Sequence, residues 1–194
     1  MPRPLVPHRR ERILDAAEAL VLDRGFDAMS VAAVAERAGI AKGAVYREFE
    51  SKHDVLDAVL RRGTERINAR AAELVGDSPR LSDAYRCAVQ VLLDDPLMTA
   101  AFLDDRSVLG SHAHAVTDGR FRDRHLAVVT WLRDLQQRGS LVRDVAVEDL
   151  ALVLSSTTIG LLSASRLLGP LTSVQLEGAV ATLARIVAEL EPDT

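Results

Sequence analysis

The stretch Ser30 to Lys52, SVAAVAERAGIAKGAVYREFESK, reads as two short helices hinged at a glycine, with the start of a third behind them. Ser30 is placed to cap a helix on which Val31, Val34, Ala35 and Ala38 recur at helical spacing, and Gly39 offers the left-handed backbone that ends it. Ile40 anchors the turn. In the second helix, spanning about residues 41–49, Val45 and Phe49 share one face, which turns Lys42, Gly43, Tyr46 and Arg47 outward. Ser51 with Asp54 then makes a capping box ahead of Val55, Leu56, Val59 and Leu60. A packing helix, a turn containing Gly and a second helix with an exposed polar face form a helix-turn-helix, whose second helix enters a DNA major groove.

The chemistry of that face is phosphate and groove contact. Lys42 and Arg47 bring positive charge, Tyr46 brings a hydroxyl, and Gly43 and Ala44 remove bulk so that backbone approaches the groove. Lys52, at the N-terminus of the third helix, is placed to hold a further phosphate. With Ser30 these residues make the candidate DNA-binding set: Ser30, Lys42, Gly43, Ala44, Tyr46, Arg47 and Lys52.

Together with the helix from Arg10 to Arg24, the FDAMSV stretch, AERAGIAKGAVYREF and SKHDVLDAV, the segment resembles the TetR family of bacterial transcriptional regulators over roughly the first third of the chain. The resemblance implies an all-α dimer with an N-terminal reading head and a larger domain that binds a small molecule. Two positions depart from the family pattern. Ala41 stands where a Ser or Thr cap is usual, forfeiting about 0.5–2 kcal/mol of helix stability. Glu48 stands where His or Tyr is common, and its charge is expected to pair with a neighbouring Arg or Lys rather than face phosphate.

Composition is compatible with this reading without proving it. At 194 residues and 48% hydrophobic, the chain can bury one substantial core and a smaller satellite. Apolar residues recur every three to four positions and alternating strand patterns are missing, so the expected fold is all-α, with about nine helices. Domain boundaries are expected at 1–55 for the head and 56–194 for an effector-binding and dimerisation domain, with the junction inside a helix running from Ser51 to about Val75. The first 52 residues carry nine Lys and Arg against eight Asp and Glu, so no strongly basic domain is present. Arg3, Arg9, Arg10 and Arg12 still make the start positive, either as an arm along DNA or as a solvated tail. The single cysteine, Cys87, rules out an internal disulfide and is read as a small core residue. No signal-peptide pattern opens the sequence. The least charged stretch, Leu150 to Ser165, is short and interrupted by hydroxyl residues and Gly160, so no membrane span is expected. A cytoplasmic protein follows.

Further helices are expected at Leu81 to Leu93, Leu97 to about Gly110, Arg120 to Arg138, Glu148 to Leu168 and Thr172 to Leu190. Thr172 with Gln175 forms a capping box, and Val180, Leu183, Val187 and Leu190 then make a heptad-like stripe. With Leu161 they are the candidate dimer interface, the other reading being an intrachain core. Phe102, Leu109, His112, Phe121, His125, Val128 and Trp131 are candidates for a pocket taking a small apolar or amphipathic effector, although each is also an ordinary core type. No metal-ligand spacing, nucleophile and base pair, or phosphate-cradling Gly loop is present, so neither metal, cofactor nor enzyme activity is expected.

The sequence thus points to a repressor that binds a palindromic operator in double-stranded DNA as a homodimer and is released by a ligand. The alternative is a helical ligand-binding or scaffold protein with a decayed DNA-reading head.

Overall fold

The computed structural model describes residues 8–75, 80–103, 105–112 and 120–192. Among them lie ten α-helices and no strand: α1 (Arg9–Arg24), α2 (Val31–Arg37), α3 (Lys42–Val45), α4 (Lys52–Val75), α5 (Leu81–Leu93), α6 (Pro96–Leu103), α7 (Arg106–Leu109), α8 (Arg120–Gln137), α9 (Val147–Leu168) and α10 (Ser173–Ala188). The local signals set most boundaries. Ser30 accepts the Ala33 N–H at 3.1 Å, Gly39 adopts φ 64°, and Thr172 and Gln175 cap α10 reciprocally. Ser51 and Asp54 exchange bonds of 2.9 and 3.2 Å ahead of α4. The expected single helix from Leu97 to Gly110 is instead α6 and α7, because Asp105 accepts from Ser107 N–H and starts a new turn.

The helices form two compact units. The first runs to Arg66 and also takes in α6 and α7, so it is larger than residues 1–55 and discontinuous in sequence. Ile13, Ala17 and Val21 of α1, Val34 of α2, Val45 of α3 and Leu56 and Val59 of α4 surround Phe26, and Leu97, Ala101 and Leu109 complete that core. Phe26 N–H donates to the Val108 carbonyl at 2.8 Å. Gly25, at φ 76°, allows this approach, since a Cβ there would sit 2.9 Å from the Ser107 carbonyl oxygen.

The second unit comprises the end of α4, α5 and the helices from α8 onward. Leu81, Tyr85 and Val89 of α5 pack with Val129, Leu132 and Leu135 of α8, Ala151 and Leu154 of α9, and Val180 and Val187 of α10. Val180 and Val187 are therefore intrachain core, not interface. Leu161, Leu183 and Leu190 also pack, half-buried, against it. The heptad reading named an apolar stripe correctly but not what covers it. Glu191, although charged, is buried because it accepts the Ser82 N–H at 2.7 Å and pairs with Arg80 at 2.5 Å. Burial pushes the Tyr85 phenol up, only partly offset by its bond to Thr158. The Tyr85 hydroxyl lies 3.0 Å from Thr158 Oγ1, which itself donates to the Leu154 carbonyl at 2.8 Å. Cys87 is half-exposed rather than core.

Residues Val147–Ala164 of α9 are long and apolar enough to cross a membrane by length and composition. Here Ala151, Leu154 and Leu162 are buried instead.

Candidate nucleic-acid interface

The helix-turn-helix assembles around α3. Ala44 and Val45 are buried beneath it with Phe49, while Lys42, Gly43, Tyr46 and Arg47 stand exposed. Tyr46 is 50% exposed. The Lys42 ammonium lies 5.8 Å from its ring centroid, so the two side chains form one unit beside the exposed Gly43 backbone. Gly43 has open space around its Cα. This surface suits a groove edge, with two cations, a hydroxyl and no bulk between them.

Three of the expected DNA-binding residues act differently. Ala44 faces inward. The Ser30 hydroxyl is used as the α2 cap. Lys52 donates to the carbonyls of Phe26, Asp27 and Met29 at 3.1, 3.2 and 3.3 Å, and its ammonium lies 4.4 Å from the Phe26 centroid. It stitches the α1–α2 connection to α4. The regular part of the second helix is also shorter than residues 41–49, since α3 ends at Val45 and Tyr46 to Glu48 continue as a turn. Ala41, at the cap position, makes no side-chain bond to the helix.

Charge around the face is arranged from α1. Arg9 forms an ion pair with Glu48, both side chains about one-fifth exposed, which gives Glu48 the cationic partner expected for it. The Arg10 guanidinium lies 4.6 Å from the Phe49 centroid, and Arg12 donates to the Ala38 carbonyl at 2.5 Å, tying α1 to the end of α2. A further network was not signalled by any motif. Arg62 of α4 reaches Glu11, Asp15 and Glu18 at 3.0, 2.7 and 2.7 Å, and Arg66 also bonds Glu18. Desolvation pulls the Arg62 pKa down, but bonds to Glu18, Glu11 and Asp15 outweigh it and raise it. Asp15, Glu18, Arg62 and Arg66 line an open groove of about 490 Å³ with Ala19 and Leu22.

The candidate effector residues are divided between the units. Leu109 is fully buried in the first core, His112 is buried beside Phe26, and Phe102 is half-buried on α6. In the second unit, His125 Nδ1 lies 3.3 Å from Ser155 Oγ, and Val128 and Trp131 lean on the core. The Phe121 side chain and the arm residue Arg3 lie outside the described residues.

Comparison with known proteins agrees with this geometry. Residues 13–59 match the family model described as bacterial regulatory proteins, tetR family. The chain is 37% identical over 123 residues to the HTH-type transcriptional repressor KstR of Rhodococcus jostii, covering 61% of this chain and 58% of that repressor. The matched stretch thus spans little more than half of that relative. Among solved structures, a transcriptional regulator of the TerR/AcrR family from Aquifex aeolicus superposes with TM-score 0.71 at 18% identity, covering 92% of this chain and 99% of its own. The ketosteroid transcriptional regulator KstR2 of Mycobacterium tuberculosis superposes with TM-score 0.60 at 24% identity, covering 97% and 98%. These likenesses show the fold over nearly the whole chain, and the relatives carry the names of regulators rather than enzymes. The N-terminal match at 13–59, the resemblance to KstR and the shared all-helical architecture make the chain similar to regulators of the tetR family.

Proposed function

We propose that the protein is a DNA-binding transcriptional repressor that reads a palindromic operator as a homodimer and is released by a small apolar or amphipathic ligand. The observation that carries this reading is the exposed face of Lys42, Gly43, Tyr46 and Arg47 on a helix-turn-helix whose other side is core. The name of the Rhodococcus relative supports repression. A mobility shift against the DNA upstream of its own gene tests it. Binding that strengthens as salt falls, and persists over competitor DNA, is expected. No retardation at low salt would favour the ligand-binding or scaffold reading, for which the uncapped Ala41 speaks.

One short recognition helix reads few bases, so two heads about 34 Å apart are needed for a palindrome. The surface offered for pairing is the outer face of α9 and α10. Leu152, Val153 and Ile159 of α9 and Ile186 of α10 are exposed, Leu152 and Ile186 by 58% and 61%. Large apolar side chains in such a patch favour association with a second copy. Replacing Leu152 and Ile159 by Lys is expected to give a folded monomer by sedimentation, with DNA binding weakened by at least tenfold. Val187→Lys is expected to unfold the second unit, since that side chain is core. A dimer surviving the α9 double variant would move the interface elsewhere.

The ligand reading places the effector in the second unit, near His125, Val128 and Trp131. A coupling of about 1–3 kcal/mol lowers operator affinity roughly 5–150-fold.

A further inference from the structure

The first four positions of α1 carry Arg9, Arg10 and Arg12 against the single acid Glu11. Successive residues on a helix point about 100° apart, so the three guanidinium groups leave in different directions. Two of them are used inside the protein. Arg9 pairs with Glu48, and Arg12 donates to the Ala38 carbonyl at the end of α2. Arg10 is exposed and lays its guanidinium over the Phe49 ring, 4.6 Å from the centroid. Among the described residues it makes no hydrogen bond or ion pair.

That combination is unusual for a structural arginine. Stacking uses the flat face of the guanidinium and leaves its N–H donors, which lie in the plane, to a further partner. A cation this close to a helix N-terminus also opposes the macrodipole, so without an anion beside it the placement gives the fold little in return. Glu11, the adjacent acid, is bonded to Arg62 instead, and the exposed Glu50 next to Phe49 forms no ion pair with Arg10. Phe49 closes the segment that begins with the exposed Lys42, Tyr46 and Arg47, and the anion between Arg47 and Phe49, Glu48, is neutralised by Arg9.

We propose that Arg10 is a phosphate-binding residue of the reading head, preset on the Phe49 ring to meet the DNA backbone at the edge of the Lys42, Tyr46 and Arg47 face. This role rests on the DNA-binding reading of that face and adds to it a residue from outside the helix-turn-helix. The start of α1 then divides its work: Arg9 cancels an anion, Arg12 ties the turn, and Arg10 faces the duplex. Because the ring contact already restricts the side chain, less freedom is lost when phosphate binds. The planar fork suits two phosphate oxygens at once, which a lysine ammonium does not.

Salt titration of DNA binding by the full chain tests this, with the duplex upstream of its own gene and an unrelated duplex of about 30 base pairs as probes. Arg10→Gln is expected to make the log–log slope shallower by about 0.9 for each head bound, on both probes, and to lower affinity at about 0.1 M salt by at least tenfold. Arg10→Lys keeps the charge and loses the stack, so it retains the slope with an affinity between those of the wild type and Arg10→Gln. Arg12→Gln removes an equal charge two residues away and is expected to leave the slope unchanged, since that guanidinium is held by Ala38. Circular dichroism of both Arg10 variants should match the wild type. An unchanged slope in Arg10→Gln overturns the assignment, and so does an equal loss of slope in Arg12→Gln, which would make the effect one of net charge. Arg10→Lys behaving like Arg10→Gln overturns it as well, because the side chain would then serve only to cover Phe49. Wild type and Arg10→Gln binding with the same slope leaves the repressor reading standing alone, whereas wild type binding neither probe removes both.

Discussion

Phe26→Ala is expected to destabilise the first unit by about 3–5 kcal/mol, the cost of emptying a fully buried aromatic site. The residue is 0% exposed and is enclosed by side chains from stretches far apart in the chain. Its ring lies under the Lys52 ammonium and against the imidazoles of His53 and His112, so truncation removes the surface that orients them as well as apolar area. The cavity is poorly placed to collapse. Its walls are fixed by the backbone bond from Phe26 N–H to Val108 and by the close approach of Gly25 to Ser107, neither of which the substitution loosens. Phe26→Leu keeps most of the volume and is expected to cost under about 1.5 kcal/mol. Denaturant titration followed by a probe in the first unit checks both, and equal costs for the two variants would mean that the ring itself, rather than the volume it fills, holds the site.

Reversing charge at the reading face is expected to abolish specific binding. Lys42→Glu combined with Arg47→Glu changes two exposed cations into anions on each head, which makes four positions in a dimer. If each cation meets one phosphate, the wild-type salt slope contains about 0.9 per contact, and the variant's log–log slope should be shallower by roughly 3–4. Affinity at low salt should fall more than 100-fold, because each lost contact is replaced by repulsion. Neither side chain belongs to the core, so circular dichroism and sedimentation should match the wild type. A slope unchanged by the double reversal would place the DNA elsewhere. Tyr46→Ala, by contrast, removes one hydroxyl and the aromatic partner of Lys42, and should weaken binding with little change in slope.

The sequence was most informative where structure is set within four residues. Caps at Ser30 and Thr172 and the left-handed turn at Gly39 were legible because the interacting atoms are close along the chain. Outward placement of Lys42 and Tyr46 followed from the buried Val45 and Phe49 on the same turn. Reach across the fold was not legible. Nothing local to Lys52 indicates that its ammonium meets three carbonyls between Phe26 and Met29, or that Arg62 gathers three acids from α1. Periodicity gives a helix its apolar stripe without naming what the stripe meets, so Val180 and Val187 read as dimer contact, with intrachain core as the other reading, and are core. The exposed Leu152 and Ile186 carry a clearer surface signal, visible only once each helix has been rotated into place.

The first unit recruits Leu97, Ala101 and Leu109 from beyond the second helix-rich stretch that begins at Leu81, so no single cut in the chain releases it whole. A fragment ending at residue 55 or at Arg66 leaves Phe26 without Val108 and part of the core without its lid. Anyone transplanting the first unit onto another protein must therefore carry two pieces of polypeptide, spliced so that α6 and α7 return to their seat. Recombination between relatives faces the same constraint, which favours exchange of the complete chain over shuffling of its front.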